Sequence, residues 1–207
     1  METKLPRAVE KLAEELAELP SIGPRQALRL AFYLVSRGPN YLKNLSEDLD
    51  ELRQIKTCER CFFVHQNKDS LCDLCKNPAR KQTQIMLVEK ETDLISVENT
   101  GKFHGRYFIL GAMPKTGLLE DWQKLRLKSL EDSITKNPPA GGLGGKADEI
   151  ILALNPTGIG DFHASLITKE LQPFTKKISR LGRGLPTGGE IEFADDETLG
   201  GALENRS

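Results

Sequence analysis

The chain has 207 residues, of which 38 % are hydrophobic and 29 % charged, with a formal net charge of −1. That balance excludes a histone-like protein that binds nucleic acid by bulk charge, while leaving room for a local basic patch. No run approaches the roughly 18 apolar residues of a membrane span, and the opening "METKLPRAVEKLAEEL" is charged and helical in pattern, unlike a signal peptide. The expectation is a soluble, cytoplasmic protein built of small modules.

Residues up to about Ile55 predict an all-helical segment. Val9, Leu12, Ala13, Leu16 and Leu19 recur at helical spacing, then "LPSIGP" makes a turn from Pro20, Gly23 and Pro24. A second helix runs through Ala27, Leu28, Leu30, Ala31, Leu34 and Val35, and Gly38-Pro39 stops it. A third carries Leu42, Leu45, Leu49 and Leu52, with Asn40 as its expected cap. The turn between the first two helices resembles a helix-hairpin-helix. In that motif, backbone N–H groups at a helix start meet phosphate oxygens. Ile22, Gly23, Arg25 and Arg29 are the candidate DNA contacts. No Asp or Glu occurs between Glu18 and Glu47, whereas Arg25, Arg29, Arg37 and Lys43 do. The alternative is an ordinary helical hairpin with a solvated basic face.

All four cysteines lie in the pattern Cys58-x2-Cys61 and Cys72-x2-Cys75, with ten residues between the pairs. Two such knuckles supply the tetrahedral sulfur set that zinc prefers, and four ligands leave no open position, so one structural Zn²⁺ per chain is expected. The segment has no apolar run long enough for a core of its own. The alternatives are four incidental free cysteines or a thiol redox pair, and His65 in place of one cysteine as ligand. Arg60, Lys68 and Lys76 are placed to offset the negative charge of the thiolates.

From about Thr83 strands and helices alternate: "QIMLVE", "YFILG", "EIILALNP" and "KKISRL" as strands, with "DLISVENTG", "WQKLRLKSLEDSI" and "FHASLITKEL" as helices. Such alternation predicts a parallel α/β sheet. Asn137 to Lys146 reads as a flexible loop, and the tail as a Gly-rich loop, a short strand and a short helix. Glu89 at a strand end and "NPTGIGD" after a later strand resemble a Toprim domain, in which carboxylates hold magnesium for work on phosphodiesters. The aspartate positions of that pattern are Asn155 and Thr157 here, and the later acidic positions are Ile159, Gly160 and Asp161. Uncharged Asn and Thr are poor ligands for a hard cation, so no catalysis is expected. Glu89 is left as a loop carboxylate, or, with Asp93, as a salt-bridge partner for a basic protein. "RGLPTGGEIEFADDETL" lacks the Gly-Lys-Ser/Thr of a phosphate loop. Lys176, Lys177, Arg180 and Arg183 form a second stretch without acids, readable as a solvated edge or as a second DNA contact.

The order of these pieces gives the expected organisation: a helix-hairpin-helix domain (1–56), a C4 zinc finger (57–80), a Toprim-like α/β domain (83–180) and a C-terminal tail (181–207). "LPSIGPRQALRLAFYL", "LVEKETDL", "ILALNPT" and "RGLPTGGEIEFADDETL", in that order, closely resemble the RecR family of bacterial recombination proteins. The resemblance implies a non-enzymatic mediator of recombinational DNA repair. It implies a ring-like homo-oligomer, a tetramer, clamped on DNA with little sequence preference. It also implies RecO and RecF proteins as partners in loading the recombinase RecA, and a place near the nucleoid. The chain departs from the family in its shorter spacing between the cysteine pairs, in "IGDFH" after "NPT", and in the "PPAGGLGGK" insertion. The alternatives are a Toprim-type magnesium-dependent nuclease or primase accessory, and a zinc-stabilised scaffold that binds only protein.

Overall fold

The computed structural model describes residues 5–136, 145–204 and 206. The loop expected at Asn137 to Lys146 falls outside the described residues except for Gly145 and Lys146. The chain divides after Ile55 into two compact units.

The first unit holds α1 (Arg7–Ala17), α2 (Pro24–Ser36) and α3 (Pro39–Glu51), followed by one 3-10 turn. Pro24 and Pro39 open their helices, where no N–H is needed. The α1–α2 turn is closed by the Ile22 N–H donating to the Leu19 carbonyl at 3.1 Å, with Pro20 second and Ser21 third at φ 66°. That is the pattern of a type II turn, in which the third residue is left-handed. Val9, Ala27 and Ala31 are the buried residues of this unit among those described. Small alanines one helical turn apart let α1 and α2 approach closely.

Asn40 is not the cap of α3. Gly38, at φ 84°, supplies the left-handed bend and Pro39 takes the first helical position, so Asn40 lies inside the first turn. No residue of α3 is buried, and its apolar face, including Leu42 and Leu49, is open to solvent.

The second unit begins with a two-stranded antiparallel ladder, β1 (Lys56–Thr57) with β2 (Val64–His65), and the short helix α4 (Asp73–Lys76). Then come β3 (Lys81–Val88), α5 (Glu91–Glu98), β4 (Gly105–Ile109), α6 (Asp121–Thr135), β5 (Glu149–Ala153), α7 (Gly158–Leu171), β6 (Ile178–Arg180) and α8 (Asp196–Glu204). The strands β4-β3-β5-β6 form one parallel sheet. Leu87 pairs with Phe108 on one side and Leu152 on the other, which explains the continuous apolar runs. Alternate residues feed two cores. Ile85, Leu87, Phe108, Ile150 and Leu152 pack with Leu127 and Leu130 of α6 and Ile167 of α7. Met86, Val88, Tyr107 and Ile109 pack with Leu94 of α5 on the opposite face.

The strand expected in the tail is instead a single 3-10 turn, Ile191–Phe193, closed by Phe193 and Ala194 N–H bonds to Glu190 and Ile191. A strand needs a ladder, and this segment pairs with none among the described residues. Ile191 and Phe193 are 67 % and 79 % exposed. No described helix is long and apolar enough to cross a membrane.

Candidate functional site

The two cysteine pairs converge. The Sγ atoms of Cys58, Cys61, Cys72 and Cys75 all lie within 4.8 Å of one another, and all four residues are buried. A tetrahedral metal with bonds of about 2.3 Å sets its sulfurs about 3.8 Å apart, so the cluster can hold such an ion. Local folding explains the convergence. In the first knuckle the Phe62 N–H donates to the Cys58 carbonyl (2.9 Å) and the Cys58 N–H to the Phe63 carbonyl (2.8 Å). The Phe63 N–H points at Cys61 Sγ and the Cys72 N–H at Cys58 Sγ, each at 3.4 Å, the arrangement that stabilises thiolate charge. Hydrogen bonding from Cys61 holds the Cys58 thiol below its ordinary range, and donating to Cys58 pushes Cys61 above it. His65 is buried, but its Nδ1 accepts the Asn67 N–H and it is not part of the cluster.

Sequence reasoning missed two residues here. Phe62 takes the left-handed bend of the knuckle at φ 64°, a position that suits glycine. Its ring meets Phe108 edge-on at 5.4 Å and lies under the Arg126 guanidinium, so the knuckle is seated on the sheet's core. Arg106 is buried on β4, the strand against which α4 packs. Of the cations expected to balance the cage, Arg60 donates to the Cys75 carbonyl, whereas Lys76 is paired with Asp69 at 2.7 Å.

At the hairpin, Gly23 caps α2 in an extended conformation with no side-chain cap bond, and Pro24 follows it. The N–H groups of Arg25 and Gln26 therefore lie in the first turn, where a helix offers no acceptor. Ile22 is half-buried; Gly23, Arg25 and Arg29 are exposed. Gly23, Pro24, Arg25, Gln26 and Arg29 line one open depression. Among the described residues neither arginine has a carboxylate within ion-pair distance. Arg37 instead lies over the Tyr41 ring at 4.8 Å, and Lys43 pairs with Glu47.

The sheet order makes β3 and β5 the switch point, outside whose carboxyl ends parallel sheets usually bind ligands. Glu89 and the Asn155–Thr157 turn sit there. Glu89 is only 4 % exposed, and its Oε1 accepts the Asn155 N–H at 2.8 Å. It is a buried brace and not a free loop carboxylate. The Thr157 hydroxyl accepts the Gly160 N–H and caps α7. A Cβ on Gly160 would stand 2.0 Å from the Asn155 carbonyl oxygen, so the turn requires glycine. Asp161, the remaining acid, is held by Arg180 and Arg183, which keep its carboxyl below the usual range, Arg183 most strongly. Asp93 is partly buried and accepts the Lys90 N–H at the start of α5. Glu89 and Asp161 are therefore committed inside the protein, Asp93 spends one carboxylate oxygen on the Lys90 N–H, and Asn155 and Thr157 add no charge.

The second basic stretch is neutralised from elsewhere in the chain. Lys176 pairs with Asp148 (2.6 Å), Lys177 with Glu149 (2.9 Å), Arg180 with Asp161 (2.7 Å), and Arg183 with Asp161 and Glu197.

Comparison with known proteins agrees with this arrangement. Residues 9–53 match a family model described as RecR, helix-hairpin-helix; residues 83–182 match a Toprim domain; residues 184–207 match RecR, C-terminal. The recombination protein RecR of Chloroflexus aggregans is 39 % identical over 201 residues, covering 96 % of this chain and 92 % of that protein. RecR of Roseiflexus castenholzii is 39 % identical over 206 residues, covering 98 % and 94 %. RecR of Frankia casuarinae is 36 % identical over 201 residues, covering 96 % and 95 %. With three of its segments matched in order and its length covered nearly end to end by relatives, the chain belongs to the RecR family of recombination proteins, which mediate DNA repair without catalysis of their own.

Proposed function

We propose that this chain clamps DNA as a homo-oligomer, a tetramer, through the hairpin of its N-terminal unit. Arg25 and Arg29 neutralise phosphates, while Ile22 and Gly23 present the helix start to the backbone. The observation that carries this reading is the ion-pair accounting. Of the two basic stretches, Lys176 to Arg183 is paired internally, whereas Arg25 and Arg29 are exposed and have no described carboxylate partner. The open apolar face of α3 and the exposed Ile191 and Phe193 of the tail supply surface for contacts between copies. Two arginines per chain give a small gain from counterion release; about eight, from four chains, give a steep one.

The four cysteines hold one structural zinc per chain, and the modules divide as 1–56, 57–80, 83–180 and 181–207. The switch-point face of the sheet meets protein partners, RecO and RecF, in the cytoplasm at the nucleoid, so that RecA can be loaded on single strands. Asp93 offers its carboxylate to a basic partner, and Glu89 braces the Asn155 turn beneath. The test is a gel shift with circular and linear DNA, with and without magnesium. Arg25→Ala with Arg29→Ala should abolish binding while leaving zinc content and oligomer mass unchanged. Wild-type binding by the double mutant would reduce the hairpin to a solvated face.

A further inference from the structure

The strand β4 reads Gly-Arg-Tyr-Phe-Ile, and all five residues are buried. A cation in such a run destabilises the fold unless an opposite charge meets it. Arg106 is 6 % exposed, its Nε has no hydrogen-bond acceptor, and no carboxylate lies within ion-pair distance among the described residues. Arg80, also largely buried, differs: it pairs with Glu98. Arg106 is thus a buried guanidinium with no acid partner among the described residues.

Its position names the partner. Alternation puts Arg106 on the same face of β4 as Phe108, which meets Phe62, the residue after Cys61. Ile109 of the same strand donates its N–H to the Cys61 carbonyl at 2.9 Å. Helix α4, which carries Cys75, packs against β4. Burial and the neighbouring Arg60 push the Arg106 pKa down, while the thiols of Cys75, Cys61 and Cys58 push it back up. Arg60 lies within the first cysteine pair and donates from Nη1 to the Cys75 carbonyl at 3.3 Å.

A divalent metal on four thiolates leaves an excess of about two negative charges. We propose that Arg106, together with Arg60, is the counter-charge of the metal–tetrathiolate centre, one guanidinium supplied by the sheet and one by the knuckle. Metal loading then completes the pairing of a cation buried in β4, which couples the centre to the edge of the sheet it covers. Arg106 is a positioning residue: it acts on the metal through the thiolates and is not a ligand.

The inference rests on the metal reading of the cysteines, and one experiment separates the two. Full-length protein is loaded with Zn²⁺ and titrated with a chromogenic chelator, for wild type, Arg106→Met, Arg106→Lys and Arg60→Met. Arg106→Met should hold zinc about tenfold more weakly, the scale of an outer-shell change, and Arg60→Met should also be weakened. Arg106→Lys, which keeps the charge, should stay closer to wild type than Arg106→Met. A packing role alone would lower the melting temperature of Arg106→Met while leaving its competition constant at the wild-type value, and that result overturns the proposal. If Arg106→Met does not fold, wild-type zinc retention by Arg60→Met overturns it. A wild-type chain that takes up no zinc overturns the metal reading itself.

Discussion

Replacing Glu89 with alanine removes the acceptor of the Asn155 N–H, a 2.8 Å bond at the switch point of the sheet. A hydrogen bond to a charged acceptor contributes about 1.5–3 kcal/mol, so Glu89→Ala should lose about 2 kcal/mol. Glu89→Gln retains a carbonyl acceptor and should lose about 1 kcal/mol or less. In a domain of this size each kcal/mol moves the melting temperature by about 2–4 °C. The alanine variant should therefore melt roughly 4–8 °C low, followed by far-UV circular dichroism with and without millimolar magnesium. A cation bound by Glu89, at a hundred times its dissociation constant, would stabilise the wild type by about 2.7 kcal/mol. No such shift is expected, because Glu89 is buried on the Asn155 N–H and Asp161 is held by two arginines. A magnesium-dependent rise in melting temperature that Glu89→Gln abolishes would show a cation held by Glu89 and overturn its role as a brace, as would reproducible nicking of supercoiled plasmid lost in that variant.

Gly160→Ala sets a Cβ 2.0 Å from the Asn155 carbonyl oxygen; it should destabilise by about 2–3 kcal/mol in the same melts while leaving DNA binding in place. Cys72→Ser should drop zinc well below one per chain by metal analysis and open residues 56–80 to protease, since metal contributes roughly 10 kcal/mol or more to small zinc modules. Lys177, with Gln84 and Ser179, lowers the Glu149 carboxyl from 4.5 to about 2. A depressed acid stabilises above its unfolded pKa and loses that contribution as pH falls. Wild type should therefore lose stability between pH 4.5 and about 2 in denaturant titrations, and Glu149→Gln should flatten that limb.

The order of elements was legible because local signals agree. Prolines and glycines punctuate the helices, and the buried parallel strands appear as short apolar runs. The cysteine spacing brought the four thiols together without any tertiary information. Charge pairing was not legible, because partners are distant in sequence. Lys176 and Asp148 are 28 residues apart, and only the parallel alignment of β6 beside β5 joins them. The burial of Glu89 follows likewise from the Asn155 turn, 66 residues on. The tail's "IEF" has strand-like composition but no ladder partner among the described residues, and a strand is defined by its neighbour. Arg106 carried a faint signal: an arginine in an otherwise apolar strand with no acid close by in sequence.

An almost neutral chain holds DNA by assembling hairpin arginines from several copies. The decisive measurement is the salt dependence of DNA affinity, taken beside oligomer mass at the same protein concentrations. With about eight arginines on phosphates, the logarithm of affinity should fall against the logarithm of salt with a slope near −7. The Arg25→Ala, Arg29→Ala protein, of unchanged mass, should bind too weakly to measure. A wild-type slope of about −2 or shallower, or a double mutant as steep as wild type, would mean that DNA is not held by assembled hairpin arginines.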